Sequence, residues 1–162
     1  MRRSVFFYAI ALAAIMSALV VLTNVIFPDP SESDDEYTWL YLLLYSALFL
    51  LFALGGFIAA ERKDPLRTGA LGGAVTALIV IGTTLLTFIV IDNLFLDIVS
   101  QQIDKINAFH NQSTYTNMRD YINGSLVAGL SFGLIGAVVF GGLFGLMGGA
   151  ARSLLTTRRA TS

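Results

Sequence analysis

Four stretches of this chain, residues 5–27, 39–60, 69–91 and 125–151, contain no Asp, Glu, Lys, Arg or His. Each is longer than the roughly 20 residues a helix needs to cross the hydrocarbon core of a bilayer. Lipid offers no water to the backbone amides and carbonyls, so an apolar run of that length must close its own hydrogen bonds as an α-helix. The pattern predicts an all-α fold: an integral membrane four-helix bundle, a single membrane domain over residues 1–162. A charged share of 13%, against about 25% in soluble domains, leaves little material for a soluble domain.

The few charges predict an orientation. Arg2 and Arg3 precede the first run, Arg62, Lys63 and Arg67 separate the second from the third, and Arg152, Arg158 and Arg159 follow the fourth. Eight of the ten basic residues thus fall on one side, with only Lys105 and Arg119 on the other. The positive-inside rule assigns the basic side to the cytoplasm. Both termini are expected there, in a multi-pass, cytoplasmic-type membrane. Nine of the eleven acids lie on the opposite side. The first run is too long for a signal-peptide core and lacks a small-x-small cleavage site, so it reads as a retained anchor.

The fourth run carries a ladder of small residues at a strict spacing of four: Ser125, Gly129, Gly133, Ala137, Gly141, Gly145 and Gly149. Spacing of this kind lets two membrane helices bring their backbones together. Each step of four turns about 400°, so the ladder drifts by about 40° per step and winds around the helix. A partner follows it for a few turns, and the remaining glycines then face something else. The third run begins with Gly69, Gly72, Gly73 and Ala77, and the second closes with Gly55, Gly56, Ala59 and Ala60. These small residues share one depth, in the cytoplasmic half. The candidate helix-packing residues are therefore Gly69, Gly73 and Ala77 against Gly141, Gly145 and Gly149, with Gly129, Gly133 and Ala137 continuing the ladder. Packing within the chain and packing against a second protein both remain open.

Other features have plainer readings. Pro28 and Pro30 end the first helix before an acidic loop at 31–36. Tyr37, Trp39, Tyr41 and Tyr45 form half of an interfacial aromatic belt. Residues 61–67, with Pro65, make a tight turn that forces the second and third helices to be antiparallel neighbours. Thr76, Thr83 and Thr87 share one face of the third helix, where hydroxyls bond their own helix, cross to a neighbour or line a pore. A faint echo relates residues 51–62 to 143–152, by duplication or by chance in so simple a sequence.

The one long connection, residues 92–124, is patterned. Phe95, Ile98, Val99, Ile103, Ile106 and Phe109 recur at three and four, which predicts a long amphipathic extracytoplasmic helix. It either extends the third span or lies in the interface. Residues 110–116 read as a turn, 116–123 as a short helix, and Gly124 as a bend into the fourth span. Asn111 and Asn123 each open a glycosylation sequon.

Chemistry is sparse. The chain has no Cys and a single His, His110, so thiol catalysis, haem ligation and zinc ligation lack their usual residues. No acid lies inside the four runs, where an intramembrane protease or an ion-coupled transporter would need one. Asp92 and Glu61 sit at span ends, where a charge is cheap. No catalytic residue, cofactor or metal is expected, and nothing marks a nucleic-acid surface. The expected partners are the lipid bilayer and either another membrane protein or further copies of this chain. The role that fits is a non-enzymatic accessory or structural subunit of a membrane complex. A small channel or transporter built by an oligomer is the alternative, since Thr and Gly rings can line a pore.

Overall fold

The computed structural model describes residues 3–27, 38–61, 63–111 and 114–160. The acidic loop at 31–36, Pro28, Pro30, Tyr37 and Arg62 lie outside them. Among the described residues the structure is helical without strands: α1 (Arg3–Val21), a π-helical turn (Leu22–Ile26), α2 (Thr38–Ala59), α3 (Pro65–Leu94), α4 (Leu96–Val99), α5 (Ile103–Asn111) and α6 (Met118–Ala160). Four helical segments, α1 with its π turn, α2, α3 and α6, are long and apolar enough to cross a membrane.

Helix ends follow local chemistry. Asp64 caps α3 by accepting the Arg67 amide at 3.3 Å, and Pro65 occupies the first helical position, where its missing N–H costs nothing. Pro65 thus starts the third span, four residues before the uncharged run begins. Thr68 ties the turn together, accepting the Glu61 amide at 2.8 Å and donating to the Asp64 carbonyl at 2.6 Å. At the start of α6, Asn117 accepts the Asp120 amide at 2.9 Å and donates to the Asp120 carboxylate at 2.7 Å. That reciprocal cap satisfies an otherwise orphaned donor.

Helix α3 packs against each of α1, α2 and α6, and α2 lies against both α3 and α6. Leu12 and Ala13 of α1, Leu48 and Phe52 of α2, Ala77 and Val80 of α3 and Ala137 of α6 form the shared core. Phe49 of α2 stacks on Phe144 of α6, ring centroids 4.5 Å apart and nearly parallel. Two polar contacts tie α1 in. The Tyr8 hydroxyl donates to the Leu51 carbonyl at 2.9 Å, and the Thr87 and Ser17 hydroxyls are hydrogen-bonded to each other at 2.9 Å. Of the threonine stripe, Thr76 and Thr87 also bond back to Gly72 and Thr83 carbonyls, so self-satisfaction and one crossing bond coexist.

The connection departs from the sequence pattern. Instead of one long amphipathic helix, α3 continues to Leu94, the backbone leaves helical geometry at Phe95 (φ −119°, ψ 38°), and α4 and α5 follow as separate pieces. The break lets the chain fold back, so that Val99 is buried beside Tyr121 and Ile122 of α6. A continuous helix would have carried Val99 away from them. His110 is exposed in the last turn of α5 rather than in a turn between helices. Helix α6 runs through Gly124 unbroken, and a Cβ there would strike the Tyr115 ring. The absence of a side chain at Gly124 makes room for an aromatic.

Candidate functional site

Two places concentrate what is unusual in this chain. The first is a seam of backbone contacts between α3 and α6, at the end of the molecule that carries Lys63, Arg67 and Arg152. A Cβ on Gly145 would come within 2.5 Å of the Gly69 carbonyl oxygen and 2.8 Å of the Gly73 Cα. One on Gly141 would lie 2.5 Å from the Ala77 Cβ and 2.7 Å from the Gly73 oxygen. One on Gly149 would strike the Pro65 carbonyl and meet the Gly69 Cα at 3.3 Å. Helix α2 joins at the same depth: a Cβ on Gly56 would run into the Gly145 backbone, and one on Gly148 into the Ala53 carbonyl. Gly145 therefore sits where the backbones of three helices meet, and no side chain fits there without moving one of them.

The ladder stays on α3 for longer than its drift suggests. Gly133 faces Leu85 and Ile81 of α3, Ala137 is buried in the core, and Gly141, Gly145 and Gly149 continue the contact. Gly129 falls off the end, with no atom near a Cβ built on it. Off the ladder, Gly142 is equally open and Gly136 meets only Phe140 of its own helix. Beside the seam, Arg152 donates to the Phe57 and Ile58 carbonyls at 2.8 and 3.1 Å, and its guanidinium lies 5.7 Å from the Phe57 ring centroid. A cation there satisfies the orphan acceptors at the end of α2 and complements its dipole.

The second place is the opposite end, where α3, α4, α5 and the first turns of α6 meet. Here Asp92 corrects the sequence reading. It is 1% exposed, and Lys105 of α5 stands 3.5 Å from its Oδ2. Oδ1 has no hydrogen-bond partner among the described residues. The position at a span end promised a cheap, solvated charge, but the break at Phe95 lets the chain return so that Lys105 of α5 stands beside it. A buried carboxylate is costly unless paired and hydrogen-bonded, and this one is only partly served. Next to it, Asn93 and Asn123 exchange side-chain amide bonds of 2.7 and 3.2 Å between α3 and α6. Gln102 is also buried.

A groove of about 260 Å³ opens beside this cluster, lined by Lys105 and Ala108 of α5 and by Tyr121, Ser125 and Leu126 of α6. Its two sides are bridged by the Phe109 and Tyr121 rings, 5.8 Å apart. No group of three or more His, Asp or Glu side chains able to share a metal ion occurs among the described residues. No known family model matches this chain, and neither a curated protein nor a solved structure shows significant similarity to it.

Proposed function

We propose that the chain is a non-enzymatic multi-pass membrane protein, both termini cytoplasmic, that serves as an accessory or structural subunit of a membrane complex. Its four long helices form the membrane-embedded bundle. The apolar side chains on its outside, among them Phe7, Leu50 and Phe132 at 73, 71 and 79% exposure, face lipid or a partner, since a soluble surface rarely carries so much continuous apolar area. Helix α6, at about 65 Å, is roughly twice as long as a hydrocarbon core is thick, so it projects beyond the bilayer.

One observation carries the accessory reading. The small residues of α6 divide into a set used against α3 and α2 and a set, Gly129, Gly136 and Gly142, that meets no other helix among the described residues. Gly129 and Gly136, seven residues apart, share one face of α6 and Gly142 lies about 120° round from Gly136, so this set offers small surface for a neighbouring helix on two sides of α6. Extraction in mild detergent, followed by affinity capture and mass spectrometry, tests this. Wild type should bring down a stoichiometric membrane partner, or migrate as a defined oligomer. Gly142→Leu should lose that association while keeping the wild-type melting temperature. A monomeric, partner-free wild type would refute the reading.

Buried Asp92, at the end of the apolar run of α3, favours the second reading, a small channel or transporter formed by an oligomer, because a buried ionisable group beside a membrane span can mark the mouth of an ion pathway. Liposomes containing the chain would then conduct or exchange ions, and Asp92→Asn would change that flux.

A further inference from the structure

We propose that Phe95 is a hinge: α3 and α4 exchange between the bent form described above and a straight form in which they run on as one helix, drawing Val99 away from α6 and Lys105 away from Asp92. Nothing in the local sequence imposes the bend. A proline, Pro65, sets the turn before α3, whereas no Gly or Pro occurs between Gly82 and Gly124. The helical ladder is also interrupted only briefly. The Phe95 amide still bonds the Ile91 carbonyl at 2.8 Å, and the Val99 and Ser100 amides bond the Phe95 and Leu96 carbonyls at 3.0 and 2.8 Å. All three are the bonds of an unbroken α-helix. The break falls on the amides between them, where Ile98 bonds the Phe95 carbonyl at 3.0 Å in place of Leu94.

Two tertiary contacts hold the bend. Val99 is fully buried beside Tyr121 and Ile122, with Leu96, Ala108 and Phe109 only partly buried around them. Lys105 stands 3.5 Å from Asp92, at the outer limit of a hydrogen bond, and is itself 24% exposed. One valine and one partly solvated ion pair are a light fastening, and both exist only in the bent form.

Chain reach decides how far the helix can straighten. Asn93 and Asn123 are bonded and stand at one level. A helix continuous to Asn111 would lift that residue about 27 Å above Asn93, while Met118 lies only about 7 Å above Asn123. With helix axes 8–10 Å apart, residues 112–117 would have to bridge roughly 22 Å, close to their fully extended span of about 24 Å. Straightening only to Ser100 raises the chain by about 10 Å and leaves ample slack, so α5 stays a separate piece. The inference depends on neither functional reading above.

The chain has no Cys, so spin labels on Arg67→Cys and Gln101→Cys, both exposed positions, report on α3 and α4 alone. Double electron–electron resonance on the full chain in mild detergent tests the proposal. The straight form places the two positions about 51 Å apart. The bent form brings them about 6 Å closer or more, since Val99 then lies level with Tyr121 and Ile122 rather than two turns past Asp92. Wild type should show the short distance. Val99→Ala should raise the straight-to-bent ratio about tenfold and Lys105→Met about threefold, so that the variant carrying both shows a separate long distance. Leu96→Pro added to that variant should restore the short distance, because proline fits the first residue of α4 but not the interior of a continuous helix. A short distance alone in the Val99→Ala, Lys105→Met variant overturns the proposal. So does a broad distribution with loss of helix on circular dichroism, which would mean that α4 unfolds instead of straightening. A long distance that persists with Leu96→Pro overturns it as well.

Discussion

The two ends of this molecule hold their helices together by opposite means. At the basic end, α2, α3 and α6 meet backbone to backbone around Gly145, with nothing larger than Ala between them. At the other end, Asn93 and Asn123, Asp92 and Lys105, and Phe109 and Tyr121 reach across wider gaps and leave a groove. In lipid, apolar side chains gain little from meeting one another, so tight helix contact comes from dispersion at close range or from polar bonds. Close range demands small residues and admits no cavity. Polar bonds tolerate spacing, and a cavity beside them is where a ligand can enter. The same chain is therefore packed backbone to backbone at one end and leaves a groove beside its polar contacts at the other.

Four substitutions measure that contrast. Gly145→Leu should have the largest effect, because its side chain would have to displace the backbones of α2 and α3 together. A loss of about 3 kcal/mol or more is expected, read as a collapse of the melting temperature in detergent, whereas Leu143→Ala, at 55% exposure, should change little. A Gly145→Leu protein as stable as wild type would break the distinction between the two ends. Lys105→Met comes next. It strands the Asp92 carboxylate, and breaking a buried pair costs about 3 kcal/mol, less here because Lys105 is partly exposed. The Asp92→Asn, Lys105→Met double variant should recover much of that loss, and a double variant worse than the single one would mean that the pair is not what Lys105 serves.

Gly124→Ala should cost about 1–2 kcal/mol, because its Cβ meets the Tyr115 ring, a side chain that can turn about its own bonds to give way. Loss of helix on circular dichroism would instead reveal a backbone role. Ser17→Ala should have the smallest effect. It removes the partner of Thr87 Oγ1, and interhelical bonds of this kind average about 0.6 kcal/mol in membranes. A shift as large as that of Lys105→Met would show that α1 is held by polar contacts rather than by packing against α3.

Much of this was legible in one dimension. Uncharged runs locate the four long helices, because hydrocarbon leaves the backbone no alternative to its own hydrogen bonds. Their ends were harder to place. Asp64 and Pro65 extend α3 beyond the apolar run, and Arg152, a charge that would seem to end the fourth span, instead continues α6 and bonds the carbonyls of α2. The four-residue spacing of small residues was equally visible, but not which rungs face α3 and which, like Gly129, face nothing in the chain.

The site at Asp92 was not legible at all. Three-and-four periodicity over residues 95–109 is satisfied both by one long helix and by the broken segment that the structure contains, since periodicity records which residues are apolar and not where the chain turns. The turn at Phe95 depends on Val99 finding Tyr121 and Ile122, more than twenty residues away in sequence. Hydropathy is a local property, so the sequence by itself determined the helices and the small residues available to join them. Burial is a property of what folds over a residue. Only the tertiary structure decided that Asp92, one residue past an apolar run, is buried, paired with Lys105 and left with one oxygen unserved among the described residues.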